Sequence, residues 1–310
     1  MDSPISREQI REAAARIGGH IRRTPVIDLG DVLGLGFGLT LKLDSMQPTG
    51  SFKVRGAFSF LTGREIPKTG VVAASGGNFG LAVAYAAQQL GHRATVFVPS
   101  SSPEEKIGRI ARYGADVRVV SGYYSEALAA SREWATETGA VEAHAYDQPE
   151  VVAGQGTCGR EIDEQVPDVT SILVAVGGGG LIAGIASWIR DGARVIAVEP
   201  ELCPTFHAAR LAGGPVVVEV GGIAASALGA SRLGDQAWRA SHWIDESLLV
   251  SDDDLTEAQT WLWETCRVLA EPAACAPIAA LLTGGFAPAS GERVVALISG
   301  ANTAPIGGGG

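Results

Sequence analysis

Six short β-branched runs punctuate this chain, and Ala- and Leu-rich stretches of helical length lie between them. The runs are "GVVAAS" at 70–75, "RATVFVP" at 93–99, "ADVRVV" at 115–120, "SILVAV" at 171–176, "RVIAVEP" at 194–200 and "RVVALIS" at 293–299. Adjacent parallel strands cannot be joined by a tight turn; they need a crossover of a dozen or more residues, usually a helix. The alternation therefore predicts an α/β fold of open, mostly parallel sheets flanked by helices. Three of the strand–helix units lie between Thr69 and Asp147 and are closed by "AVEAHAY". This predicts a small unit over 69–147, set into a larger discontinuous unit made of 1–68 and 148–310.

One segment imitates a membrane span. From Val169 to Ile189 no residue is charged, which is long enough to cross a bilayer, but Gly177–Gly180 sit in its middle. Four glycines interrupt a continuous helix, so the segment reads as strand, glycine turn and buried helix. The first twenty residues carry charges throughout and lack the apolar core of a secretory signal. Ser6 with Gln9 instead forms the capping box of an amphipathic helix through Ile10, Ala13, Ala14 and Ile17. The N-terminus of another helix is marked by Ser102, Pro103 and Glu105, and the closing Gly307–Gly310 reads as a flexible tail.

A formal charge of −10 argues against nucleic-acid or anionic-membrane partners, which need a basic face. The four cysteines, Cys158, Cys203, Cys266 and Cys275, are widely spread, with no C-x-x-C pair and no zinc-like spacing. They read as reduced thiols of a cytoplasmic protein.

Chemistry concentrates in a few places. Lys53 follows the turn-forming Thr49, Gly50 and Ser51; a helix starting at Ser51 would put this cation in a first turn, at the positive end of the dipole. A cation is poorly placed there unless something anionic or covalent compensates. Gly177–Gly180 end a strand and open a helix, which suits a phosphate held by backbone N–H groups. Gly178, Gly180 and Ala183 also satisfy a permissive dinucleotide spacing, with Glu199 about twenty residues on, so an NAD-type oxidoreductase is an alternative on this loop alone. "SGGN" at 75–78 and "SGAN" at 299–302 each follow a strand and, taken singly, read as turns; as a site the first would offer N–H groups, Ser75 and the Asn78 amide to a carboxylate, and the second Ser299 and Asn302.

Together, "TGSFKVRGA" (49–57), "SGGNFG" (75–80), "VGGGGLIAGIA" (176–186), "AEPAACAPIAAL" (270–281) and "LISGANT" (297–303) resemble, in order and spacing, the fold-type II pyridoxal-phosphate enzymes, most closely the threonine/serine dehydratases. The resemblance implies pyridoxal 5'-phosphate as cofactor, with Lys53 as its Schiff-base lysine and general base. It implies Phe52 against the pyridine ring, Gly177, Gly178, Gly179, Gly180 and Leu181 around the phosphate, Asn78 on the phenolic oxygen, Glu271 near the cofactor and Ser299 at the ring nitrogen. Ser75, Gly76, Gly77, Asn78 and Phe79 would face the substrate, Ser75 and the loop amides receiving its carboxylate. The implied reaction is dehydration and deamination of a 3-hydroxy amino acid, L-threonine or L-serine, by a homodimer. A dehydratase for a 3-hydroxyaspartate or a phenylserine and a β-replacement synthase are the alternatives within the fold.

Several positions depart from the family. Gly76 stands where related serine racemases carry a second, proton-transferring serine, which predicts elimination without racemisation. Phe79 replaces a histidine or small residue and puts the substrate side chain in question. Glu199 matches a cation ligand of some relatives, but Thr205 replaces the matching aspartate, and one carboxylate is thin support for a hard cation, so no metal is expected. The resemblance ends at Thr303, which implies no feedback-regulatory domain after it.

Overall fold

The computed structural model describes residues 3–100, 102 and 104–304. The expected contribution of Pro103 to a helix start and the closing Gly307–Gly310 lie outside these residues. The strands are β1 (Val26–Asp28), β2 (Gly38–Lys42), β3 (Val71–Ala74), β4 (Ala94–Pro99), β5 (Asp116–Val120), β6 (Val141–Glu142), β7 (Ser171–Ala175), β8 (Arg194–Pro200), β9 (Glu246–Val250) and β10 (Arg293–Leu297). They form two sheets, ordered β1-β2-β10-β7-β8-β9 and β5-β4-β3-β6. Every pairing is parallel except β1 with β2, which runs Val26↔Lys42 to Asp28↔Thr40 in antiparallel register.

Helices cover both faces, so the central strands are buried on both sides and read as continuous apolar runs; β3 and β7 are buried at every position. β1, β2 and β9 were not legible as strands, because "VID", "GLTLK" and "ESLLV" are short and weakly patterned. The capping box of the first helix, Arg7–Ile17, is present, with Ile10, Ala13 and Ile17 buried. The charge-free stretch 169–189 is β7, a glycine turn and the helix Gly180–Ile189. No helix among the described residues is long and apolar enough to cross a membrane.

Strand order directs the eye to two crevices. In the larger sheet β7 lies between β10 and β8, and in the smaller β3 lies between β6 and β4. The connections leave in opposite directions from such a strand, which opens a gap at its C-terminal end, the place where open α/β sheets bind ligands. Gly177–Gly180 follow β7, Ser299 follows β10 and Ser75–Asn78 follow β3.

The helix Lys53–Thr62 is anchored by a buried ionic cluster. Arg55 donates from Nε to Asp44 Oδ2 at 2.8 Å and from Nη2 to Asp44 Oδ1 at 2.7 Å, while its Nη1 reaches Glu161 Oε1 at 2.7 Å. Lys42 Nζ donates to Glu161 Oε2 at 2.6 Å and to Thr24 O at 2.8 Å. Arg55, Lys42 and Asp44 have no exposed surface. Burial pushes the Asp44 carboxyl up, but Arg55 and Lys42 outweigh it and hold it below the usual range.

Candidate active site

The helix bearing Lys53 begins at Lys53 itself, two residues later than the turn chemistry predicts. Tertiary pairing is the reason: Ser51 bridges to Gly300, and the Phe52 N–H donates to Ser299 O at 3.0 Å. This pairing holds the loop before Lys53 against the end of β10.

Lys53 Nζ projects into a cleft lined by Phe52, Asn78, Tyr146, Gly177–Ile182, Glu271 and Ser299. It donates to Ala145 O at 3.0 Å and lies 5.0 Å from the centre of the Phe52 ring and 5.9 Å from that of Phe79. Desolvation lowers the amine to about 8, against a smaller opposing pull from Glu271. The predicted discomfort of this cation is therefore real, and burial is its main cause.

Across the cleft, Gly177–Gly180 leave no room for side chains. A Cβ on Gly177 would lie 2.8 Å from Leu228 Cα, and one on Gly178 would lie 2.3 Å from the Tyr146 ring. Gly179 has φ +85°, which favours glycine. The N–H groups of Gly177 to Leu181 find no acceptor among the described residues. They sit at the start of a buried helix, where unpaired donors and the helix dipole favour an anion. Ser299 is 5% exposed and lines the cleft.

A wider cavity of about 360 Å3 adjoins this cleft and shares Lys53, Asn78 and Tyr146 with it. Ser75, Gly76, Gly77, Phe79, Ser102 and Lys106 also line it. Ser75 Oγ accepts from the Gly77 N–H at 3.3 Å. A Cβ on Gly76 would lie 2.3 Å from Ser102 Oγ. Phe79 is only 2% exposed and packs into the core with Val54 and Phe58, forming a wall of the cavity rather than a projection into it.

Sequence reasoning missed Tyr146. It lies in the turn after β6, its ring covering Gly178 and its carbonyl crowding Gly180. An aromatic residue directly behind a closing strand was the available signal. Glu271 was placed near the cofactor, but its partner was not foreseen: it accepts from Asn78 Nδ2 at 2.7 Å, and burial raises its carboxyl above the usual range.

Glu199, the acidic residue of the dinucleotide alternative, has no exposed surface. Its carboxylate accepts from the N–H groups of Phe206 at 2.7 Å and His207 at 2.8 Å and from the Thr205 hydroxyl at 3.1 Å. Burial lifts it to about 7. It is committed to the start of the helix Thr205–Ala212 and does not face a ribose. The one proton of that hydroxyl is shared between Glu199 Oε1 and Gly177 O, tying this network to the glycine loop. Among the described residues no group of three or more His, Cys, Asp or Glu is arranged to hold a metal.

The donors around the glycine turn suit a phosphate, and the amine opposite suits an aldehyde. The comparison that decides between ligands is a family match: residues 17–300 match the family described as pyridoxal-phosphate dependent enzyme. The chain belongs to the pyridoxal-phosphate dependent enzymes. Its cofactor is pyridoxal phosphate. Among its relatives is an L-threonine ammonia-lyase of Geobacter sulfurreducens, 38% identical over 94% of this chain and 74% of that protein. Among solved structures, maize serine racemase superposes with a TM-score of 0.92 at 30% identity, covering 97% of this chain and 94% of that one. A threonine deaminase of T.th. superposes with a TM-score of 0.90 at 34% identity, over 97% and 99% of the two chains. These fold-type II structures share the two-sheet architecture described above.

Proposed function

We propose that this pyridoxal-phosphate dependent enzyme is an ammonia-lyase that converts L-threonine and L-serine to the 2-oxo acid and ammonia. The observation that carries the reading is Lys53: a desolvated amine held at about 8, facing a cradle of unpaired N–H groups. Such an amine is neutral often enough near pH 7 to act as nucleophile and base. Relatives named L-threonine ammonia-lyase, at 36–38% identity over nearly the whole chain, support the substrate class.

Bound pyridoxal phosphate supplies an aldehyde for amines and a conjugated ring that accepts the electron pair released at the substrate Cα. The chain does the rest. Gly177–Leu181 would hold the phosphate and Phe52 would lie against the ring. Asn78 would bond the phenolic oxygen with the N–H that Glu271 does not use. Ser299 would offer the ring nitrogen a hydroxyl rather than a carboxylate, a partner that suits elimination of the β-hydroxyl. Ser75 and the N–H groups of Gly76 and Gly77 orient the substrate carboxylate, with Phe79 closing the wall. Lys53 Nζ takes the Cα proton. Gly76 brings no hydroxyl to the opposite face.

This reading takes 69–147 as the small mobile unit and 1–68 with 148–310 as the large cofactor-binding unit. It also takes the enzyme to be a cytoplasmic homodimer; the free thiols Cys158, Cys203, Cys266 and Cys275 suit a reducing compartment. The test is the visible spectrum of the purified protein together with a 2-oxo acid assay. A yellow protein that forms 2-oxobutyrate from L-threonine, with both properties lost in Lys53→Ala, is the expected result. Colour without product sends the assignment to 3-hydroxyaspartate or phenylserine.

A further inference from the structure

Beside the loop 76–78, four segments of the chain meet in a directed line of hydrogen bonds that the chemistry above does not require. Arg109 Nη2 donates to Asn302 Oδ1 at 2.6 Å. Asn302 Nδ2 donates to Thr49 O at 2.9 Å and to Asn78 Oδ1 at 2.8 Å. Asn78 Nδ2 donates in turn to Glu271 Oε1 at 2.7 Å. Arginine can only donate, and a backbone carbonyl can only accept. Each amide in the line therefore has one favourable orientation; turning Asn302 over would set its oxygen against Thr49 O and Asn78 Oδ1.

The backbone makes room for this line. A Cβ on Gly50 would lie 2.6 Å from Asn302 Oδ1, and one on Gly300 would lie 2.1 Å from Glu271 Oε1. The glycines of "TGS" and "SGA" thus do more than turn the chain. The line also crosses between the sheets. Arg109 sits on the helix Glu104–Ala111, beside the smaller sheet, and Asn78 opens the helix after β3, whereas Asn302 and Glu271 belong to segments at the end of β10 and before the helix Ala276–Leu282. Arg109 has no carboxylate partner to compete for its guanidinium among the described ion pairs.

We infer that Arg109 and Asn302 are positioning residues: they fix the Asn78 amide so that its free N–H points at the cofactor, and they hold the helix Glu104–Ala111 against the end of β10. The inference rests on the placement of Asn78 at the cofactor proposed above. Removing the charge-assisted bond frees the far end of the line, and the effect is read at the cofactor rather than in substrate binding.

Two variants separate the tie from the relay. Arg109→Met keeps the aliphatic stem and removes every donor. Asn302→Asp keeps a partner for Arg109 but cannot donate to Asn78 or Thr49. Both are expected to weaken pyridoxal phosphate, measured by equilibrium dialysis, about tenfold and to lower kcat about tenfold with KM for L-threonine within twofold of the parent. Arg109→Lys recovers part of the loss. Wild-type cofactor affinity and spectrum in Arg109→Met, even with a lower Tm, make the contact a structural tie and overturn the inference. The dialysis reads this without any substrate. A parent chain that binds no pyridoxal phosphate overturns the proposed function and this inference together, whereas cofactor bound equally by parent and Arg109→Met overturns this inference alone.

Discussion

Competitive acetylation of the cofactor-free chain, followed peptide by peptide across pH, reads the Lys53 amine directly. Desolvation lowers that amine from 10.5 to about 8, with Glu271 opposing. At pH 7 a group titrating at 8 is roughly 9% neutral, against roughly 0.03% for one titrating at 10.5, so about 300 times more reactive amine is present. The Lys53 peptide is expected to reach half its limiting rate near pH 8, with the peptide of the exposed Lys68 as internal reference. A Lys53 midpoint above about 10 would refute the argument that burial governs this amine. Stability follows with a definite sign. The folded-state value lies below the unfolded one, so between pH 8 and 10.5 the unfolded chain binds the extra proton. The contribution of Lys53 to the unfolding free energy of the cofactor-free chain is therefore flat below pH 8 and rises through that window. The full span sets a ceiling of about 3 kcal/mol, and water in the half-open cleft reduces it. Lys53→Met accordingly stabilises the cofactor-free chain at pH 7 and loses that advantage above pH 10.5.

Arg55→Met leaves the buried Asp44 and Glu161 with only Lys42 as counter-charge, and urea unfolding should show a loss of about 3–5 kcal/mol; a loss under about 1 kcal/mol would mean the cluster is not what anchors the Lys53 helix. Gly178→Ala drives a methyl group into the Tyr146 ring and is expected to weaken cofactor binding roughly tenfold, while Gly192→Ala, which meets open space, leaves it unchanged; equal affinities would sink the account of the glycine cradle. Chiral chromatography of L-serine incubated with the enzyme should show pyruvate and no D-serine, and rapid D-serine formation would require a proton donor on the face that Gly76 leaves bare.

Local patterning carried much of the fold. The runs that became β3, β4, β5, β7, β8 and β10 are β-branched and bounded by turn residues, so their strand character is decided within a few residues. β1, β2 and β9 were invisible because their pairing, not their composition, makes them strands. The candidate site divides in the same way. Lys53 and Gly177–Gly180 stand out as residue types that are costly or unusual where they occur, whereas Asn78 and Ser299 are ordinary turn residues that only the resemblance to the family picks out. Tyr146, Arg109 and the full use of Asn302 did not stand out, since an aromatic in a turn or an arginine on an amphipathic helix is ordinary until its neighbour is known.

By itself the sequence determined the α/β class, the strand–glycine–helix reading of a stretch that hydropathy alone would put in a membrane, and the chemistry available at Lys53. These follow from short-range physics: side-chain branching, glycine's freedom in φ, and the cost of a buried ammonium. Only the tertiary structure decided that the helix starts at Lys53 rather than Ser51, that Glu199 is spent on a helix start, and that Arg109, Asn302, Asn78 and Glu271 form one line. Those outcomes depend on hydrogen bonds between residues up to 253 positions apart. No local window of sequence contains both partners.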